Sequence, residues 1–475
     1  MTMTTPLPSM TQLQACFEVQ RRHALAHPYP SADVRIAHLK ALRAGVLAHK
    51  EALAEAIAQD FSARSRHETL IAEILTTVAG IDHNIQHLKA WMRPQRRKVS
   101  LLFAPARNTV MLQPLGVVGI MVPWNYPVQL SLLPLAGALA AGNHAIIKLS
   151  EFTPHTNAVI QQLLSSCLPP EWAVAMEGDV ALSSAFAGMP WDHLLFTGST
   201  SVGRLVMAAA APNLTPVTLE LGGKSPVIVA PDANLQTTAE SIVFGKLLNA
   251  GQTCIAPDYV WVQHSQRAAF VRAMQQAVAA LYPTLRHNPD YSAIINERQH
   301  ARLHSWLQEA REQGATITTC NPASESFEGT RKMPLHLIEN APAQSRVMQD
   351  EIFGPLLPIK TYQDLNEVIV SINAAPRPLA LYLFSHDSTV HKQVLEQTHS
   401  GGVTINETLL HVAQDDMPFG GCGPSGMGHY HGYEGFVRLS HTKSVHARGR
   451  FNSARMAYPP FGKLIHKLIE RWWLR

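Results

Sequence analysis

Between Asp33 and Asp60, apolar residues return at Ile36, Leu39, Leu42, Val46, Leu47, Leu53 and Ile57, close to the period of a helical turn. The spacing predicts one long amphipathic helix, and residues 11–92 as a whole read as helical. The character changes between Met92 and Pro114. Arg96, Arg97 and Lys98 make a basic start, and Val99–Gln113 then alternates apolar with polar, as an exposed strand pair does. From Leu115 to Leu221, short apolar runs at Val117–Val122, Ala145–Leu149, Trp172–Met176 and His193–Phe196 predict strands separated by helices. A second block, Ser225 to Asn406, predicts strands at Val227–Ala230, Tyr259–Val262, Pro358–Thr361, Ala380–Phe384 and Val403–Asn406. Strand–helix alternation of this kind predicts an α/β fold with parallel, doubly wound sheets. No internal repeat or low-complexity tract interrupts it.

The stretch from Asn108 to Ile147 holds no charged residue and could suggest a membrane span. Pro114, Pro123, Pro127 and Pro134 cut it into pieces shorter than the ~20 residues a span needs. Buried strand, loop and helix are the expectation. The N-terminus lacks the basic start and apolar run of a secretory signal. The chain's 475 residues are ample for a large core, and charged residues are only 16% against 46% hydrophobic, which excludes extensive disorder. A net charge of +4 is too small for a dedicated nucleic-acid binder. Cys16, Cys167, Cys254, Cys320 and Cys422 form no C-x-x-C pair, which fits a reducing, cytoplasmic setting and suggests neither zinc nor a disulfide framework. The 24 histidines, His411, His429 and His431 among them, show no metal-ligand spacing, so no metal is expected.

Four short segments carry chemistry. After the strand His193–Phe196 comes Thr197-Gly-Ser-Thr-Ser-Val-Gly203 and then an Ala-rich helix. Gly198 suits the turn, Gly203 permits close helix packing, and the helix start can face a pyrophosphate. Thr200 stands where a dinucleotide fingerprint has its middle glycine, so an ordinary strand–helix turn reads equally well. In Gly251-Gln-Thr-Cys254, a cysteine on a loop after the helical stretch Leu235–Asn249 can face a cleft, although buried structural cysteines are commoner. A free thiol is mostly protonated at pH 7, so a nucleophile here needs a local base or dipole. Glu220 lies in an apolar strand that turns at Gly222-Gly223. It reads either as a general base with a raised pKa or as an ion-pair partner of Lys224. Its distance from the glycines would also suit a ribose contact. In Pro123-Trp-Asn-Tyr-Pro127, two prolines stiffen the loop that presents Asn125, whose amide could serve an oxyanion or simply brace the loop.

Taken together, WNYP with Asn125, KLSE at Lys148–Glu151, FTGSTSVG at Phe196–Gly203, ELGGK at Glu220–Lys224, GQTC at Gly251–Cys254 and EIFGP at Glu351–Pro355 resemble the aldehyde dehydrogenase superfamily over about residues 30–445. The stretch Asn406–Gly421 with Gly423–Gly428 is similar to the class 3 branch, nearest the bacterial coniferyl aldehyde dehydrogenases. The resemblance implies that Cys254 attacks the aldehyde to give a thiohemiacetal and then a thioester. Asn125 and the Cys254 N–H would hold the oxyanion, and Glu220 would activate the hydrolytic water rather than bind ribose. It implies NAD as cofactor, with NADP as the alternative. Lys148 and Glu151 would lie on the adenine ribose, Gly198, Ser199 and Gly203 at the diphosphate, and Glu351 and Phe353 at the nicotinamide side. Leu149 departs from the proline common in the family.

The implied architecture is a Rossmann-type cofactor domain (1–98 and 114–218), a catalytic α/β domain (219–425) and a β-strand oligomerisation arm (99–113 and 426–455). The arm would pair Val99–Gln113 with a segment near Lys443–Phe451 and hold a homodimer. An aromatic, coniferyl-type aldehyde is the implied substrate. A coenzyme A-acylating enzyme and an inactive nucleotide-binding structural protein are the alternatives, and Glu220 and the Asn125, Glu220, Cys254 trio argue against them. In the tail, 456–475, Phe461, Leu464, Ile465, Leu468, Ile469, Trp472 and Trp473 form one helical stripe beside Lys463, Lys467 and Arg471. Such a helix is too short to span a membrane but could lie on one. The sequence favours a tail docked on its own body or on a dimer partner.

Overall fold

The helix expected from the stripe after Asp33 is Ala32–Phe61, capped at its start by the Ser31 side chain on the Val34 N–H and closed by Ser62 in the left-handed region. It belongs to a computed structural model that describes residues 10–450 and 452–474. The N-terminal helical run continues through Arg66–Thr69, a π-helical segment Leu70–Leu75 and the helix Thr76–Trp91. The charge-free stretch becomes the strand Val117–Met121, the Pro-rich loop and the helix Gln129–Ala141, every residue of which is buried.

Six strands form one sheet in the order Gly426–Met427, Val217–Glu220, His193–Thr197, Val117–Met121, His144–Leu149, Ala173–Glu177. The last five are parallel. From Val117–Met121 the chain moves outward to Ala173–Glu177, then returns to the other side with His193–Thr197. Strand order therefore reverses between Val117–Met121 and His193–Thr197. The crevice at the carboxyl ends of such a pair is where α/β sheets hold ligands. The loops leaving these two strands are Pro123–Pro127 and Gly198–Ser199.

A seven-stranded sheet runs Thr316–Cys320, Leu335–Glu339, Leu356–Tyr362, Tyr259–Gln263, Pro226–Val229, Ala380–Phe384, Gly402–Ile405. Its pairings are parallel except for the Thr316–Cys320 edge. The first two strands escape the sequence pattern. Thr316–Cys320 is a largely polar, solvent-facing edge, and in Leu335–Glu339 the polar His336 and Glu339 break the apolar run.

The arm strands differ from expectation. Val99–Ala106 is not strand. The small sheet comprises Gln95–Arg97, Arg107–Pro114 and Ser440–Ala447, all antiparallel. Leu101–Phe103 instead makes a 3₁₀ turn before Pro105, a residue with no N–H to give a ladder. The partner strand begins at Ser440 and stops at Ala447, short of Phe451, which lies outside the described residues. Gly426–Met427, within the segment expected to form the arm, pairs with Val217–Glu220 of the six-stranded sheet.

Candidate active site

The segment Asn249–Gly251 has three successive residues with φ between 51° and 77°. This places the Cys254 loop against the Glu351–Pro355 loop so tightly that a Cβ on Gly251 would stand 2.6 Å from the Gly354 carbonyl oxygen. Only glycine tolerates both that φ and that approach. Gln252 then locks the loop: its Nε2 donates to the carbonyls of Asn249 and Ala293 (both 3.0 Å), and its Oε1 accepts the Ile295 N–H at 2.9 Å. The Tyr126 and Thr253 hydroxyls, 2.8 Å apart, tie the Cys254 loop to the Pro-rich one.

Cys254 is half-buried and free of any disulfide. Burial, with Glu351 and Glu220 nearby, pushes its thiol up to about 12, opposed by the N–H groups of Cys254 and Ile255. Burial therefore favours the thiol over the thiolate. Asn125 is buried, and its Nδ2 donates to the Gln252 carbonyl at 3.1 Å. An amide nitrogen carries two hydrogens, so one remains for a ligand.

Glu220 closes the strand Val217–Glu220, and its backbone carbonyl accepts the Gly198 N–H at 3.0 Å. Both carboxylate oxygens are buried without a hydrogen-bond partner. Burial alone lifts its pKa well above the ordinary value. It is not paired with Lys224: that ammonium binds Asp258 and the carbonyls of Val347 and Asp350. Glu351 is raised to about 8, by burial first and then by Asp258. A Cβ on Gly222 would sit 2.3 Å from its carboxylate.

Pro123, Trp124, Asn125, Gly198, Ser199, Glu220, Gly222, Cys254, Glu351 and Phe353 all border one cleft of about 240 Å³. The Trp124 and Phe353 rings meet edge to face across it, 5.4 Å between centroids. The remaining predicted residues lie off this cleft. Lys148, near the carboxyl end of the strand His144–Leu149, forms an ion pair of 3.3 Å with Glu151 just past it. Gly203 is buried in the helix Thr200–Ala210, where a Cβ would strike Leu221 at 2.7 Å. Its place is the packing of that helix on the sheet.

Several residues that hold the site carry no motif. Arg64 is buried and contacts Glu68 at 3.2 Å, Glu73 at 3.1 Å and the Asn125 carbonyl at 2.9 Å. Glu73 rides on the π-helical segment and accepts the Val128 and Gln129 N–H groups at 2.7 and 3.1 Å. Such segments commonly mark functional places. Glu68 accepts from Asn249 and from the Ser292 hydroxyl. One buried cation and two carboxylates thus fix the loops of both Asn125 and Cys254. Removing one member of such a cluster strands the others. Arg64→Met is expected to lower the unfolding free energy by about 3–5 kcal/mol, read by urea denaturation; a loss under 1 kcal/mol would remove the cluster from this role. On the other wall, Arg302 donates to the Ile352 carbonyl at 2.8 Å and to Gln299 at 2.7 Å, steadying the loop that presents Phe353.

A dinucleotide fits these residues. The cleft lies at the strand-order reversal, beside the amino end of the helix Thr200–Ala210. Its floor holds unpartnered carboxylate oxygens of Glu220 and Glu351, and a side chain at Gly222 would fill it.

The aldehyde dehydrogenase family matches residues 10–445. The "Probable coniferyl aldehyde dehydrogenase" of Pseudomonas aeruginosa is 52% identical over 98% of this chain and 97% of its own length. The coniferyl aldehyde dehydrogenase of Pseudomonas sp. strain HR199 is 42% identical over 97% and 96%. Among solved structures, the substrate-bound state of Staphylococcus aureus AldH superposes with a TM-score of 0.91 at 37% identity, over 97% of this chain and 99% of that one.

Proposed function

The chain belongs to the aldehyde dehydrogenase family and oxidises an aldehyde in an NAD(P)-dependent reaction, and from that premise we propose that its substrate is an aromatic, coniferyl-type aldehyde. The observation that carries the catalytic reading is the convergence of Cys254, Asn125 and Glu220 on one cleft with Glu351 and Phe353. In this reading the Cys254 sulfur bonds to the aldehyde carbon, and its proton passes to a neighbouring carboxylate. The free N–H of Asn125 and the Cys254 backbone N–H hold the oxygen as it gains charge. When bound, NAD(P) supplies the acceptor for the hydride that the carbon loses. A thioester on Cys254 remains. Glu220, whose burial raises its affinity for a proton, takes one from the water that releases the acid. Glu351 and Phe353 would hold the nicotinamide end, and Gly198 and Ser199 the diphosphate.

The aromatic substrate is supported by the likeness to the two Pseudomonas coniferyl aldehyde dehydrogenases. Glu151, half exposed next to Lys148, favours NAD by repelling a 2′-phosphate. A panel of aliphatic and aromatic aldehydes assayed with each cofactor tests this. Coniferyl-type aldehydes with NAD should give the highest kcat/KM, about tenfold or more above short aliphatic aldehydes; the reverse order would refute the substrate assignment. The outer edge of Ser440–Ala447, mostly exposed, supports pairing of two chains along that strand. The chain's five cysteines, all free, suit the cytoplasm.

A further inference from the structure

The helix Leu464–Trp473 is held by one side only. The His466 ring accepts the Gly462 N–H at 3.0 Å and lies 2.9 Å from the Met456 carbonyl, while Lys463 reaches the Tyr458 carbonyl at 3.3 Å. Ile465 and Ile469 are half-buried on that inner side. The outer stripe is bare: Leu464 is 76% exposed, Leu468 43% and Trp472 78%, with Phe461 just ahead at 77%. The docking of the tail on its own body, favoured by the sequence, does not occur along this stripe.

Charge identifies what covers it. Residues 448–475 contain seven Lys or Arg and one acidic residue, Glu470, a net +6. The whole chain carries +4, so residues 1–447 carry −2. Lys467 and Arg471 border the bare stripe on its polar side. We propose that this tail is a peripheral anchor for an anionic lipid surface, with Leu464, Leu468 and Trp472 entering the headgroup boundary and Lys463, Lys467 and Arg471 on the lipid phosphates. At about 15 Å the helix is too short to cross a bilayer and suited to lying along one. A second copy of the chain offers the stripe a body of only −2, whereas a phosphatidylserine-rich leaflet offers dense negative charge. Anchoring there would concentrate the enzyme where poorly soluble aromatic aldehydes partition.

Flotation of the full-length enzyme with neutral phosphatidylcholine vesicles and with vesicles containing about 30% phosphatidylserine tests this. Binding should be confined to the anionic vesicles and weaken as salt rises. Each cation near such a surface is worth about fivefold, so Lys467→Glu with Arg471→Glu should weaken binding about 25-fold or more. Trp472→Ser should weaken it while leaving the charge intact. Both variants should oxidise soluble aldehyde at the wild-type rate and keep the wild-type mass in sedimentation velocity. Equal or absent binding to the two vesicle types would overturn the proposal. So would a drop in mass on substituting Leu468 or Trp472 with Ser, which would identify a second copy as the occupant.

Discussion

Replacing Cys254 with Ala is expected to reduce aldehyde oxidation by about 10⁵-fold or more while leaving the dissociation constant for NAD within about twofold. The asymmetry follows from where the sulfur sits. Cys254 borders the same cleft as Glu220 and Asn125, but the loop is fixed by Gln252, Asn249 and the Tyr126–Thr253 contact rather than by the thiol. Losing one sulfur therefore leaves the cleft intact. Initial rates and equilibrium titration of cofactor fluorescence measure the two effects separately. Retention of even a tenth of the activity would exclude Cys254 as the nucleophile.

The second large effect concerns Glu220. Glu220→Gln should slow acid release by about 10²–10⁴-fold while the first turnover still yields NADH, so a pre-steady-state burst approaches one equivalent per active chain. The pH dependence has a defined sign. Burial raises the Glu220 pKa, so the base form accumulates only as pH climbs through that raised value. Steady turnover of the wild-type enzyme should rise with pH above the ordinary carboxylate range, and the Gln variant should lose that rise. Equal losses in burst and steady phases would remove Glu220 from the deacylation step. Faster acyl-thioester formation than acid release on adding coenzyme A would favour acyl transfer instead.

How much of this was readable in the chain depends on distance along it. Parallel sheets follow from contiguous apolar runs such as Val117–Val122 and Ala380–Phe384, whose burial needs no partner to be recognised. Asn125, Glu220 and Cys254 each sit inside a local motif that leaves the residue's role open by itself, and it is the joint order of the motifs that carries the resemblance and the roles. Arg64 was invisible. It lies 61 residues from the carbonyl it holds, in a segment with no motif, and only the fold brings Glu68 and Glu73 to it. Arg302 is hidden similarly, on a helix facing a loop 50 residues onward. The alternation over Val99–Gln113 overstates the arm because Pro105 cannot join a ladder, and strand begins only at Arg107. The ambiguity of Glu220, base or partner of Lys224, was settled by Asp258, which lies 34 residues beyond Lys224 and captures that lysine.

The most direct test is peptide mass mapping of the Glu220→Gln enzyme quenched after one turnover with coniferyl aldehyde and NAD. The acyl group should appear as a hydroxylamine-labile thioester on the peptide containing Cys254, in proportion to the NADH formed. NADH accumulating with no acyl mass on Cys254, or with that mass on Cys16, Cys167, Cys320 or Cys422, would contradict the account.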